Sequence, residues 1–593
     1  RLILPQLALA LRWDNVDIPG AGQDWQRGSS AGGDDSSQGS RPLLGFLIRY
    51  AFATRQADFV SELYWTLVCL SHEESQGRDS ERSVEPPRAQ STSSSGRILG
   101  YGSARTTLIK ALQPVSGDVG ARSSQARAST QLEADNEDDS DPNSFRQAAR
   151  RLLRGQQEMW RQNMQLIMQH SGRSIGGGSW SHRTEILRSA LRDWPELMRK
   201  ESRASSSRIP DIDMQRLGSP FPSRRNSRNM SDSISLGALV RPDCMDTARI
   251  LEEGRHEALM SNGQENSAQS EDETFISLPI DPNLKFHGYV IEESEVIASK
   301  QAPLMLTCKT SGIRSRFVGL PLRPTEANNA PISEKYLLKV GDDLRQDQLM
   351  LQMMALMTCV WHERLNEADA LLLQLANFRV LAVTPMSGYV KFVADSVPLS
   401  DALRESRGDL VGWLERHRLE GVELNDALDT LCGSVAASCV VTYILGIGDR
   451  HLENLCITRR GQFFHIDFGF ILGDDPKPMA PPVRFPQQVA QALLATDRLG
   501  RCFELARRAY LALRPFAGLW VSILQLASAT GGAGCAKLAR EPLAAISGVC
   551  ERLRVGQEDE DRAAAEFLCL MRESSQELSS ILIDKVHAAG LFW

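Results

Sequence analysis

The sequence has no surplus of positive charge: Lys+Arg 67 against Asp+Glu 74 leave a formal net charge of -7. A chain-wide basic field of the kind that draws in nucleic acid is therefore excluded, and any attraction to a membrane has to be local. There is no Cys-x-x-Cys pair either. The 11 cysteines are scattered singly from Cys69 to Cys569, with no Cys/His cluster at zinc spacing, which argues against a disulfide framework and a structural metal and fits a reducing compartment. No apolar run reads as long enough to span a bilayer, and Arg1 to Leu11 has neither the cleavage site nor the flank of a signal peptide. A protein that is soluble or peripheral to a membrane is expected. The first residue is Arg, and Leu4, Leu7, Leu9, Leu11 and Trp13 read as a helix already under way, so further sequence is expected upstream.

What is present is 593 residues, enough for two to four domains. Apolar residues at three and four spacing predict helices over Leu43–Tyr50, Phe59–Leu70, Phe145–His170 and Ile186–Met198. Polar stretches over about 20–41, 71–144 and 199–275 interrupt and follow them, and these cannot bury enough apolar area to offset chain entropy. From Ile276 the texture becomes short β-rich runs at Phe286–Glu292, Leu304–Thr310, Lys335–Val340, Arg379–Thr384 and Tyr389–Val393, with one helix starting near Asp343. After Asp395 the chain reads as helical, apart from a β-rich interruption over Leu455–Phe468. The expected fold class is α+β: a kinase-like pair of lobes, β-rich over 276–394 and helical over 395–593, preceded by a helical accessory domain over 1–198 with long disordered linkers.

Two stretches carry chemistry. In Ile444–Ile457 and Phe464–Gly473, Asp467 and Asn454 offer the oxygen donors that a Mg²⁺ bridging phosphate oxygens demands. Asp449 and His451 stand just ahead of Asn454, where a group could accept or orient the proton of an attacking hydroxyl. In Tyr336–Gln352, Lys339 ends a strand and could neutralise ATP phosphates with Asp342 or Asp347 to hold it. Alone, Lys339 also reads as an edge lysine beside a helix-capping Asp-Asp pair. The downstream motif favours the chemical reading.

Gly-Asp-Asp-Leu-Arg-Gln-Asp at 341–347, Gly-Asp-Arg-His-x-x-Asn at 448–454 and His-Ile-Asp-Phe-Gly at 465–469 resemble the phosphatidylinositol 3- and 4-kinase family, which includes related large protein kinases. Asp-Arg-His reverses the His-Arg-Asp order of ordinary protein kinases. The resemblance covers about 283–593 as kinase domain and, less specifically, 1–198 as the family's helical domain. It implies Lys339 as the ATP-phosphate lysine, Asp342 and Asp347 as its support, and Asp467 with Asn454 as ligands of Mg²⁺ or Mn²⁺. It implies Ser299 on the phosphate-covering turn and a hinge for adenine at Lys391–Phe392–Val393. Phe378 stands where the family usually has a tyrosine lining the inner ATP pocket. Within the catalytic motif Asp449, Arg450 and His451 are the candidate catalytic residues, with His451 chosen as proton acceptor and Asp449, by analogy with protein kinases, as the alternative.

The loop 472–485 is similar to that of the class III phosphatidylinositol 3-kinases, although Asp474 replaces a residue that is commonly basic there. Its cations are Lys477 and Arg484, too few to pair with the extra phosphates of a phosphorylated inositol lipid, so plain phosphatidylinositol is the expected substrate and its 3-phosphate the product. The resemblance implies a protein-kinase-like regulatory subunit and a Beclin-type subunit as partners. It implies a cytoplasmic protein, peripheral on endosomal, vacuolar or autophagosomal membranes, with the Leu591-Phe592-Trp593 tip of a C-terminal helix as membrane contact. The rival readings are a phosphatidylinositol 4-kinase and an inactive scaffold of a trafficking complex.

Overall fold

In the computed structural model the β-rich runs after Ile276 pair into one antiparallel sheet, in which Asp281–Tyr289 and Ile332–Val340 largely alternate buried and more exposed side chains and Leu304 to Cys308 is buried throughout. The structure describes residues 42–54, 56–81, 101–113, 142–170, 179–204, 276–299, 301–311, 332–376, 378–477, 480–529 and 532–576. The strands are β1 (Ser277–Leu278), β2 (Asp281–Tyr289), β3 (Glu295–Val296), β4 (Leu304–Ser311), β5 (Ile332–Val340), β6 (Val380–Thr384) and β7 (Ser387–Lys391). Their order is β1-β2-β4-β5-β7-β6, with β3 beside β4. β5 lies between β4 and β7, and its register sets Lys339 opposite Gly388. A Cβ on Gly388 would stand 2.2 Å from the Leu381 carbonyl oxygen, so only glycine lets β6 and β7 close beside that lysine.

Helices α1 (Pro42–Thr54), α2 (Ala57–Glu81), α3 (Tyr101–Ala111), α4 (Pro142–His170) and α5 (Trp180–Ala204) precede the sheet. α2 packs on β6 and α5 on β3. Trp65, Trp160 and Tyr389 meet edge to face, with ring centroids 6.5 Å and 5.3 Å apart in turn. Polar side chains at this seam are paired rather than excluded: Gln156 Nε2 donates to Ser277 Oγ at 3.1 Å, and the Tyr289 hydroxyl donates to Asn163 Oδ1 at 2.7 Å.

The second lobe wraps α10 (Leu424–Leu445), a helix buried over nearly its whole length from Ala427 on. Around it stand α6 (Arg345–Arg364), α7 (Glu367–Leu372), α8 (Leu399–Glu405), α9 (Leu410–His417), α11 (Gln487–Ala495), α12 (Leu499–Leu513), α13 (Ala517–Ala529), α14 (Ala536–Arg540), α15 (Pro542–Arg552) and α16 (Glu560–Gln576). β8 (Ser396–Pro398), β9 (Leu455–Thr458) and β10 (Phe463–His465) form a small sheet at the border of the lobes. Trp361, Trp413, Phe463, Phe468, Phe485, Tyr510, Trp520 and Phe567 fill the core.

Three sequence expectations are corrected. The 71–144 stretch is not polar linker throughout: α2 runs on to Glu81, and α3 buries Tyr101, Ala104 and Leu108 at three and four spacing amid Ser, Thr and Arg. α5 continues past 198 to Ala204. Two helical stretches, Leu424–Leu445 and Leu499–Ala529, are long and apolar enough to cross a bilayer by length and composition. The first is the core helix, and the second is interrupted by a 3-10 turn at Arg514–Phe516 and carries the Glu504–Arg507 ion pair at 3.0 Å. The insertion over 20–41, most of the 199–275 linker and the Leu591–Trp593 tip lie outside the described residues.

Candidate active site

Lys339 is delivered by the end of β5, and its ammonium lies 3.2 Å from Asp342 Oδ2. Burial works against the charge of Lys339, but Asp342, then Asp467 and Asp347, outweigh it and raise its pKa. Asp347, in the first turn of α6, accepts the Phe468 amide at 3.2 Å. Its own pKa is pushed up to about 6, by burial first, with Lys339 pulling the other way and Asp467 adding to the rise. Gln346 Nε2 donates to the Phe468 carbonyl beside it. The Lys339 end of β5, the start of α6 and the Asp467–Phe468 turn therefore meet at one place.

Gln301 of the 297–302 turn donates to Asp342 Oδ1. That contact brings the turn holding the exposed Ser299 over the Lys339–Asp342 pair. Gln301 is missing from the sequence reading, since nothing in an irregular turn without glycine marks it. Lys391 does not face this space. Its ammonium turns to Asp281 Oδ2 at 2.8 Å and Glu334 at 3.6 Å, so the 391–393 segment offers backbone rather than that side chain. Within the segment the Val393 carbonyl accepts Ser396 Oγ at 2.7 Å. Phe378 packs toward Phe464, with ring centroids 6.3 Å apart.

The 446–454 loop leaves α10 at Gly446 and is held from both sides. Arg450 is buried and donates from Nε to the Gly448 carbonyl at 2.6 Å, from Nη1 to the Ile466 carbonyl at 2.7 Å and from Nη2 to the Asp467 carbonyl. With its donors spent on main chain, Arg450 fastens the loop to the Asp467 segment. Asp449 has φ 52 and Asp467 φ 60, left-handed conformations that cost energy in a non-glycine residue and that tie both carboxylates to fixed directions. Asp449 pairs with Lys477 at 2.8 Å, its amide donates to Asp475 Oδ2 at 3.0 Å, and His451 Nε2 stands 4.0 Å from its Oδ2.

Asn454 and Asp467 make a donor set that fits a hard divalent cation. Asn454 Nδ2 is engaged with the Asp449 carbonyl at 3.0 Å, so its amide oxygen is the atom left to bind a cation. Asp467 is exposed and accepts the Gly469 amide at Oδ1, 3.1 Å away, leaving Oδ2. The Ile466 amide donates to the Asn454 carbonyl at 3.1 Å, so the two donors sit on adjoining segments.

Comparison with known proteins bears on this arrangement. A family model described as "Phosphatidylinositol 3- and 4-kinase" matches residues 334–533, the stretch from Lys339 past Asp467. Residues 334–533 belong to the phosphatidylinositol 3- and 4-kinase family. The chain is 33% identical over 331 residues to the phosphatidylinositol 3-kinase VPS34 of Saccharomyces cerevisiae, a match covering 54% of this chain and 34% of that protein. Against the Arabidopsis thaliana phosphatidylinositol 3-kinase VPS34 the figures are 34% over 325 residues, 54% and 36%. The Glycine max phosphatidylinositol 3-kinase, root isoform, is 33% identical over 325 residues, again 54% and 36%. The chain thus spans about a third of the length of these relatives.

Both cations of the 472–485 loop are buried: Lys477 lies against Asp449, and Arg484 lies beside α10, where its carbonyl accepts Cys439 Sγ at 3.8 Å. Counting loop charges does not reveal which of them turn inward.

Proposed function

We propose that the chain transfers the γ-phosphoryl of ATP to the 3-hydroxyl of phosphatidylinositol, as a class III phosphatidylinositol 3-kinase. The observation that carries this reading is the meeting of Lys339, Asp342, Asp347 and Asp467 beside the loop that bears Asp449, His451 and Asn454. The names of the similar proteins support the choice of the 3-position.

Lys339, with its pKa raised, remains an ammonium at neutral pH and neutralises phosphate oxygens, while Asp342 fixes its direction. Asp467 and Asn454 would hold Mg²⁺ or Mn²⁺, which when bound would offset negative charge on the phosphate oxygens. His451 takes the proton of the attacking inositol hydroxyl, and Asp449, 4.0 Å away, stabilises the imidazolium that results. Lys477 holds the Asp449 carboxylate, and Arg450 holds the loop backbone. With Lys477 and Arg484 inward and Asp474 exposed, the loop is ill-suited to lipids with further phosphates, which supports plain phosphatidylinositol.

Association with endosomal, vacuolar or autophagosomal membranes, and with a protein-kinase-like subunit and a Beclin-type subunit, belongs to the same proposal. The test is labelled ATP with vesicles of phosphatidylinositol, its 4-phosphate or its 4,5-bisphosphate, with Asp467→Ala as control. Label at the 3-position of phosphatidylinositol alone, abolished in the control, is expected. Label at the 4-position would make the chain a 4-kinase, and no label on any lipid would favour a scaffold.

A further inference from the structure

Asp281 opens β2 and is buried, yet its carboxylate takes donors from three distant parts of the chain. The Tyr336 hydroxyl donates to Oδ2 at 2.8 Å, the Lys391 ammonium lies 2.8 Å from the same oxygen, and Arg379 Nη1 stands 3.4 Å from Oδ1. A carboxylate buried without such partners is strongly unfavourable, so these groups hold one another in place. Lys391 ends β7 and begins the 391–393 segment. Arg379 joins that segment to everything else. Its carbonyl accepts the Lys391 amide at 2.8 Å, and it follows Phe378 directly. Its guanidinium donates to the Ile280 carbonyl at 2.8 Å and to Glu62 Oε1 of α2 at 2.9 Å. One arginine thus touches the hinge strand through its backbone, and a helix of the accessory region through its side chain.

We propose that Arg379 is a positioning residue for nucleotide binding, through which Glu62 on α2 sets the placement of Phe378 and the 391–393 segment. The proposal rests on the reading of 391–393 as the segment that meets adenine. The guanidinium is anchored at Glu62 and Asp281, and its backbone fixes where the Lys391 amide lies. A shift of α2 on the sheet would therefore move the segment that frames the nucleotide. Contiguous packed and hydrogen-bonded contacts of this kind are the physical means by which one site biases another. The mechanism assigned above does not use Glu62, Arg379 or Asp281.

The experiment compares the full chain with Glu62→Gln, Arg379→Met and the double variant. It reads the Kd of a non-hydrolysable ATP analogue by calorimetry, KM for ATP and for lipid, kcat, and Tm. Each single variant is expected to weaken nucleotide binding roughly three- to tenfold, and the double variant no more than the weaker single, because the two side chains act through one contact. The expected kcat at saturating ATP, and KM for lipid, stay within about twofold of wild type. A fall in Tm with unchanged analogue affinity would reduce the network to a structural brace and overturn the proposal, as would additive losses in the double variant. Glu62→Gln keeps shape and removes charge, so it carries the test should Arg379→Met fail to fold. Analogue binding needs no lipid turnover, so a chain that binds nucleotide but phosphorylates no lipid would sink the proposed function and leave this comparison readable.

Discussion

Lys477 shares an ion pair of 2.8 Å with Asp449 and is buried, and that placement separates two roles that a charge count cannot. A lysine that met the lipid headgroup would, when removed, raise KM for lipid. A lysine that holds a catalytic carboxylate would lower kcat, since Asp449 would be left buried and unpaired. Lys477→Met is expected to lower kcat by about tenfold or more while leaving KM for phosphatidylinositol vesicles near wild type, as read by initial-rate kinetics over lipid concentration. Asp347 gives a second residue-scale outcome. Burial sets its pKa near about 6, above the ordinary carboxylate value of about 3.9, so the folded chain binds this proton more tightly than the unfolded chain does. The stability it contributes is fully present below the unfolded value and is lost as pH rises through the folded one. Without nucleotide, wild-type Tm should therefore fall further between pH 5 and pH 7.5 than that of Asp347→Asn, by scanning fluorimetry; parallel falls in both would refute the assignment. Lys339, Asp342, Asp347, Asn454 and Asp467, singled out in the sequence by local motifs, lie on adjoining segments in the structure. Gln301, Asp475 and Asp281 were not singled out, because each acts on a partner far along the chain.

Among the elements, strands read as short β-rich runs were recovered to within a few residues, whereas β2 begins at Asp281, ahead of the run that starts at Phe286. Asp281-Pro-Asn has the composition of a turn, and only the partners of the buried Asp281 explain its place in a strand. α3 escaped notice for a related reason: a short helix with a narrow buried face leaves a faint period in a polar stretch. α10 was legible as a helix, but its mechanical role was not. It ends at Gly446 with φ 57 and ψ 52, and the carbonyls at that end pin the 472–485 loop: Leu445 accepts the Leu472 amide at 2.9 Å, and Gly446 accepts the Gly473 amide at 2.8 Å. Arg552 Nε closes the same end by donating to the Ile444 carbonyl at 3.0 Å. A Cβ on Gly446 would lie 2.6 Å from Gly473 N and 2.8 Å from Arg552 Nη2. Gly446→Ala is expected to cost about 1–3 kcal/mol in denaturant unfolding and to depress kcat as the loop shifts. Gly556→Ala separates strain from clash, because Gly556 has φ +89 with nothing within 4 Å of its Cβ; it should cost about 1 kcal/mol and leave kcat unchanged.

At the scale of the molecule, the seam between the helices and the sheet governs how the described residues unfold. Helical periodicity foretold α2 and α4, but no local pattern could say that their buried polar side chains face the sheet. Asn163 is the sharpest case. It is fully buried, donates from Nδ2 to the Tyr389 hydroxyl at 2.9 Å and accepts the Tyr289 hydroxyl at 2.7 Å, so a single amide from α4 serves β2 and β7 together. Trp160, one turn earlier, packs on Tyr389, and Gln156, a further turn back, reaches Ser277 and the Leu278 carbonyl. A face this continuous couples the two layers, because separating them exposes aromatic area and leaves polar groups unpaired at once. Asn163→Leu is close in size and removes both hydrogen bonds, stranding the Tyr289 donor in an apolar site. It is expected to cost about 2–4 kcal/mol, more than the roughly 1 kcal/mol for Tyr389→Phe, which leaves the Tyr289 bond intact. Calorimetry should show the helices and the sheet melting in one transition in wild type, lowered but still single in Asn163→Leu. If instead the wild type melts in two steps and Asn163→Leu moves only one of them, the seam is a contact between independent units and the route from Glu62 to the hinge loses its mechanical basis.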